Sequence, residues 1–201
     1  MINEVIAVVL GYLIGSIPSA YIIGHLWGKI DLRQEGDGRI SAAAVNRRLG
    51  KVPFLLVVIM DVGAGVLAVF IAKMLTDAPL DVFTDSQLAV LIAGFVAVVG
   101  HDWPVFLKFK GGLGATTIWG VLVALVWWQT LVVAASGFIV FLIIKRRRPG
   151  LITGLIIVAL SIVLLVQSLV QGAPLILAVY PYILILLMVL KRFQVSKTNP
   201  Q

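Results

Sequence analysis

The sequence contains no cysteine. Disulfides, thiolate nucleophiles and thiolate metal ligands are therefore excluded. It has only two histidines, too few to suggest a dedicated transition-metal site. Charge is also scarce: Asp, Glu, Lys and Arg make up 12% of the 201 residues, against about a quarter in soluble domains. Hydrocarbon takes its place, with 61% hydrophobic residues arranged in runs near the ~20 residues that one helix needs to cross a bilayer. In lipid, each backbone polar group must be paired within its own segment, so runs of this length predict helices. Acidic residues are the scarcer sign, nine against 16 Lys and Arg, for a net charge of +7. In so apolar a chain, that excess points to anionic headgroups and phosphorylated substrates rather than nucleic acid. The start, Met1-Ile2-Asn3-Glu4, lacks the basic region of a cleavable signal peptide, so the first apolar run reads as a retained span.

Apolar runs cover residues 2–27, 52–75, 87–106, 115–144, 151–169 and 174–190. The fourth, of 30 residues, is long for one crossing and short for two. The distribution of cations decides between them, because Lys and Arg concentrate in cytoplasmic loops. If residues 115–144 cross twice, turning near Trp127-Trp128-Gln129, the loops on one side hold 15 of the 16 cations and only Lys73 falls elsewhere. A single crossing would instead put Lys145-Arg146-Arg147-Arg148 on the outer side. The sequence therefore predicts an all-α, polytopic protein of seven transmembrane helices. It forms one domain over residues 1–201, with the N-terminus outside and a cytoplasmic tail beginning at Lys191. The basic run at 145–148 reads as a topology determinant facing anionic lipid.

Within the first run, Gly11, Gly15, Ser19, Gly24 and Gly28 set small residues at close spacing, which lets helix backbones approach within the bundle or across a dimer seam. Pro18 removes a backbone donor there and predicts a bend. His25 reads as a packing or interfacial residue. Trp103, Trp119, Trp127 and Trp128 read as an interfacial belt.

Three polar constellations can carry chemistry. The first loop contains Gly36-Asp37-Gly38-Arg39 and then Ser41 to Arg48, which reads as a glycine turn entering a short helix. Gly36 and Gly38 can expose backbone N–H groups, and Arg39 and Arg47 can contact a phosphate; the alternative is a solvated loop with Asp31, Glu35 and Asp37 pairing the arginines. The second is Lys108-Phe109-Lys110-Gly111-Gly112-Leu113-Gly114, where three glycines leave backbone amides bare and allow close approach to an anion, and Lys110 supplies charge. It lacks the Gly-Lys-Ser/Thr ending of a nucleotide P-loop. The third is Asp61, deep in the second apolar run, where a carboxylate is costly and should be protonated or paired. His101, Lys110 and Arg47 are its candidate partners, in a structural contact or as a catalytic acid.

Taken together these residues resemble the bacterial integral-membrane acyl-phosphate:glycerol-3-phosphate acyltransferases over nearly the whole chain. The resemblance rests on Tyr12-Leu13-Ile14-Gly15-Ser16-Ile17-Pro18-Ser19-Ala20-Tyr21, on Asp31-Leu32-Arg33 with Gly36, Gly38, Arg47 and Gly50, and on Asp61 with Gly65. It continues through Gly100-His101, Pro104, Phe106, Phe109-Lys110-Gly111-Gly112, Gly114 and Thr117. It implies a seven-helix bundle in the bacterial inner membrane that moves a fatty acyl group from acyl phosphate to glycerol 3-phosphate, giving lysophosphatidic acid for phospholipid synthesis. No metal or other cofactor is implied. Gly36, Gly38, Arg39, Arg47, Lys110, Gly111, Gly112, Gly114 and Thr117 would bind the phosphorylated substrates, with His101 and Asp61 as catalytic candidates. Several positions depart from the family pattern. Asp37, Arg39, Ala43 and Ala44 stand where it has Ser, Asn, Thr and Asn, and Ala64 and Leu113 stand where it has Lys. The departures motivate a second reading, a catalytically impaired paralogue that binds a lipid, a phosphorylated ligand or a membrane partner.

Overall fold

The computed structural model describes residues 1–34, 40–78, 85–132, 134–135, 159, 162–163, 166, 170 and 175–198. The described chain is helical. Its principal helices are α1 (Ile2–Gly15), α2 (Ser19–Gly28), α3 (Ala42–Leu49), α4 (Lys51–Thr76), α5 (Asp85–Asp102), α6 (Ala115–Leu125) and α7 (Ile176–Thr198). Among the described residues, four stretches are long and apolar enough to cross a membrane: Ile2–Gly28, Lys51–Thr76, Ser86–Leu107 and Ile176–Val195. α6 is apolar but shorter. The expected span at 151–169 lies largely outside the described residues, and the basic run at 145–148 wholly so.

The bend expected at Pro18 is present. α1 ends at Gly15 and α2 begins at Ser19, with Pro18 at the junction. α6 closes at Leu125, and Val126 leaves helical geometry at φ −139° just before the Trp127-Trp128-Gln129 stretch where a turn was expected; helix resumes at residue 127. The first loop does enter a short helix. The Ser41 hydroxyl accepts a hydrogen bond from the Ala44 N–H at 3.2 Å, a cap that satisfies one open amide of α3. Gly50, at φ +90°, ends that helix and starts α4, a backbone angle that glycine adopts freely.

The small residues of α1 pack inside the bundle, against α5. A methyl group on Gly11 would lie 2.6 Å from the Ala93 carbonyl oxygen, and one on Gly15 would strike Ala97. Gly65 and Gly120 bring α4 and α6 together in the same way. Because Gly11 meets Ala93 and Gly15 meets Ala97, α1 and α5 run in the same sense. α4 and α6 share the opposite sense: Thr116 meets Asp61 at one end, and the Lys73 ammonium donates to the Ala124 carbonyl at 2.8 Å at the other. α7 follows α5. Its Tyr180 hydroxyl donates to the Leu91 carbonyl at 2.7 Å, and Gln194 meets Trp103 a full helix length away. The buried core between these helices includes Val69, Val90, Val98, Val121 and Leu184. A second cluster, with Leu32, Val45, Val57 and Leu107, fastens α2, α3 and the first loop over one end of the bundle.

The tail expected from Lys191 is instead helix. α7 continues to Thr198, and Lys191 turns inward to only 4% exposure. Trp103 is half-buried: its indole N–H donates to Gln194 at 3.2 Å and its ring carries the Lys191 ammonium 4.4 Å from its centroid. Two amphipathic side chains on neighbouring helices thus find each other.

Candidate active site

Asp61 sits ten residues into α4 beyond Lys51, about 15 Å along the helix axis. At 3% exposure it needs partners, and three elements supply them. The Ser19 hydroxyl donates to Oδ1, and the Thr116 hydroxyl donates to Oδ2 at 2.7 Å. His101 Nδ1 stands 3.7 Å from Oδ1, an electrostatic contact longer than a hydrogen bond. Of the partners considered from sequence, His101 is therefore the one observed. Ser19 and Thr116 were not anticipated. Ser19 reads as one more small residue in the glycine stripe, and Thr116 is the less distinctive neighbour of Thr117. Their role comes from position. Ser19 opens α2 directly after the Pro18 break, and Thr116 lies in the first turn of α6, so both helices begin beside the carboxylate.

The glycine-rich turn sits on the other face of His101. A methyl group on Gly112 would lie 2.5 Å from His101 Nε2 and 3.3 Å from the Ile40 carbonyl oxygen. The imidazole is thus held between Asp61 on its Nδ1 side and the turn on its Nε2 side, with the first loop touching the same glycine. The His101 side chain remains 14% exposed. One expectation needs correcting: the amides of Gly111 and Gly112 are not bare. The Gly111 N–H donates to the Asp102 carbonyl and the Gly112 N–H to the His101 carbonyl, both at 3.2 Å. These two glycines serve close approach, since a side chain at either would collide with His101 or Pro104. Open donors for an anion lie further on, where Gly114 at φ +64° turns the chain into α6 and the first-turn amides carry partial positive charge.

Arg47 is on the exposed side of α3, about 9 Å along that helix from Ser41, whose neighbour Ile40 touches the turn. Lys110 is also exposed. Thr117 is fully buried and its hydroxyl has no hydrogen-bond partner. Gly36, Gly38 and Arg39, together with Asp37, lie outside the described residues. Just before them, Asp31 accepts from the Arg33 guanidinium at 2.6 Å, and that guanidinium covers the Tyr21 ring at 4.9 Å. The hydrogen bonds from Arg33 hold the Asp31 carboxyl below its ordinary value and raise Arg33 in return. Tyr21 stacks on the exposed His25 at a centroid distance of 6.3 Å.

An apolar cleft of about 440 Å³ opens beside Ser19, lined by Ile14, Ile17, Met60, Leu67 and Phe70 among others. It follows α4 away from Asp61, in the groove left where α1 breaks. Ala64, which stands where the pattern quoted above has lysine, is part of its wall.

A buried carboxylate, an imidazole, a glycine turn and an apolar cleft thus lie together in the helical bundle. The profile of glycerol-3-phosphate acyltransferases matches residues 5–197. The chain belongs to that family. It is 39% identical over 176 residues to a glycerol-3-phosphate acyltransferase of Synechococcus elongatus, covering 87% of this chain and 81% of the relative. A Prochlorococcus marinus glycerol-3-phosphate acyltransferase is 39% identical over 148 residues, 74% and 70% of the two chains. Glycerol-3-phosphate acyltransferase 3 of Dehalococcoides mccartyi is 43% identical over 124 residues, 60% of this chain, and the match spans 57% of that relative's length. Among solved structures, PlsY (YgiH), described as an integral membrane glycerol 3-phosphate acyltransferase, superposes in its glycerol 3-phosphate form with a TM-score of 0.76 and 27% identity. That match covers 95% of this chain and 88% of PlsY. Its lysophosphatidic acid form gives 0.73. These relatives support an acyltransferase and do not favour the impaired-paralogue reading.

Proposed function

We propose that this protein transfers a fatty acyl group from acyl phosphate to the 1-hydroxyl of glycerol 3-phosphate, releasing inorganic phosphate and lysophosphatidic acid. The observation that carries the reading is the placement of His101, with Asp61 on one ring nitrogen and the glycine turn on the other. Asp61 fixes the imidazole so that Nε2 faces the turn, where it takes the proton of the acceptor hydroxyl. The hydroxyl oxygen attacks the acyl carbonyl, the bond from carbonyl carbon to phosphate oxygen breaks, and His101 returns the proton to the leaving phosphate. An acyl phosphate is already activated, so the protein's main task is to align two anions and offset their repulsion. Lys110, Arg47, Arg39 and the α6 amides supply positive charge, Gly36, Gly38, Gly111, Gly112, Gly114 and Thr117 shape the phosphate site, and the cleft beside Ser19 takes the acyl chain.

The same reading places one transmembrane domain of seven crossings in the bacterial inner membrane, with the N-terminus outside and this site on the cytoplasmic side. Its support is that α1 and α7 run in the same sense, which requires an odd number of crossings. The loop cations at Lys29, Arg33, Arg47, Arg48, Lys51, Lys108 and Lys110 also share the end that carries the site. The test is direct. Purified protein in lipid nanodiscs, given palmitoyl phosphate and glycerol 3-phosphate, should release phosphate and form lysophosphatidic acid, and His101→Gln should lower kcat/KM by about 10²- to 10⁴-fold. Wild-type turnover no higher than that of the His101→Gln variant would overturn the proposal.

A further inference from the structure

We propose that Asp102 and Lys191 are positioning residues: a buried pair of opposite charges that uses the last helix to hold the glycine-rich turn over His101. Asp102 ends α5. It is fully buried, and among the described residues neither carboxylate oxygen accepts a hydrogen bond. A carboxylate so placed is costly unless charge compensates it. The compensating charge comes from α7. Lys191 is itself buried, and its ammonium rests 4.4 Å from the centroid of the Trp103 ring, on the residue that follows Asp102.

Asp102 touches both ends of the turn. Its backbone carbonyl accepts the Gly111 N–H at 3.2 Å. Its side chain abuts Gly114, where a methyl group would lie 2.8 Å from Oδ1. Gly114 begins α6, whose start has no side-chain cap, so the carboxylate also faces the positive end of that helix. α6 in turn carries Thr116 onto Asp61. The adjoining Trp103 is anchored twice more, by its indole N–H to Gln194 and by the Tyr12 hydroxyl donating to its carbonyl at 2.9 Å. α1, α5, α6 and α7 therefore meet at Asp102-Trp103. Removing Lys191 leaves the carboxylate uncompensated, and the turn that rests on it must move.

The chain has no cysteine, so Leu113→Cys supplies a single thiol within the turn. The rate at which that thiol reacts with a polar maleimide reads the turn directly. It needs no catalysis, whereas the kinetic arm rests on the acyltransferase reading. In the Leu113→Cys background, Lys191→Met should speed labelling at least tenfold, and adding Asp102→Asn should return the rate to within threefold of the parent, because the uncompensated charge is gone. Without the cysteine, Lys191→Met should raise KM for glycerol 3-phosphate at least tenfold while kcat falls less, and the double variant should recover. A merely structural loss would lower the amount of folded protein without this reciprocal rescue. If Lys191→Met fails to accumulate in membranes, Asp102→Asn and the double variant make the same comparison from the other side. An unchanged labelling rate in either single variant, or a double variant no better than the singles, would overturn the proposal. Wild-type protein without acyl-transfer activity would instead refute the functional reading and leave the labelling result standing.

Discussion

Gly112→Ala isolates the contact between the glycine turn and the imidazole. Gly112 is not among the residues with positive φ, so alanine can adopt its backbone without strain, and the effect is steric. The new methyl carbon would lie 2.5 Å from Nε2 and 3.1 Å from Cδ2 of His101. Ordinary contact begins about 1 Å further out. The turn cannot yield easily, because its N–H bonds to the His101 and Asp102 carbonyls hold it in place and the Ile40 carbonyl stands 3.3 Å from the added methyl. The imidazole must therefore retreat by roughly 1 Å toward Asp61, and a misplacement of that size costs about 100-fold in rate, or about 2.7 kcal/mol of transition-state stabilisation. Overpacking one methyl costs about 1–3 kcal/mol of stability, and relaxation of a partly exposed ring favours the low end. The assay is phosphate release from palmitoyl phosphate with and without glycerol 3-phosphate, paired with thermal unfolding in detergent. kcat/KM should fall about 100-fold while the protein stays folded at the assay temperature. Activity within twofold of wild type would refute the claim that His101 acts from where the turn holds it.

Asp61→Asn keeps the shape but removes the charge facing His101, and should lower kcat/KM by about 100-fold or more, measured in the same assay. Gly11→Ala should destabilise the fold by about 1–3 kcal/mol, seen as a lower unfolding temperature, because the methyl group meets the Ala93 carbonyl at 2.6 Å; an unchanged midpoint would refute the close α1–α5 packing. The Asp31–Arg33 pair sets a pH signature. Arg33 depresses the folded-state value of Asp31, so the pair's contribution is present above the ordinary carboxyl value of 3.8 and is lost as pH falls through the lower folded value. The difference in midpoint between wild type and Asp31→Asn should therefore be constant from pH 6 to 8 (a range chosen well above any carboxyl titration) and should close in acid; a gap that widens in acid would show the opposite sign.

The helices could be read from the sequence because lipid imposes one rule on every backbone group, and runs such as 52–75 satisfy it by composition alone. The break at Pro18 and the short helix that follows the first loop were legible for the same local reason: each depends on a few side chains and their immediate neighbours. The site was legible only in part. Asp61 and His101 stand out because a charge deep in an apolar run and a histidine beside a glycine turn are rare. Ser19 and Thr116 do not stand out, since hydroxyl residues are common in membrane helices and nothing local says which one meets a carboxylate. The glycines at 111 and 112 were identified for the wrong reason. Their spacing suggests amides open to an anion, whereas the fold uses those amides to close the turn and needs the missing side chains to admit His101.

Composition by itself determined that this is a helical membrane protein, because insertion into lipid is decided segment by segment. Only the tertiary structure decided that Lys191 leaves the tail for the interior, that Asp102 is buried against Gly114, and that residues 19, 101 and 116 share the Asp61 carboxylate. Those outcomes depend on which helix faces meet, and the meeting is set by small residues far apart in the chain whose partners no local pattern names.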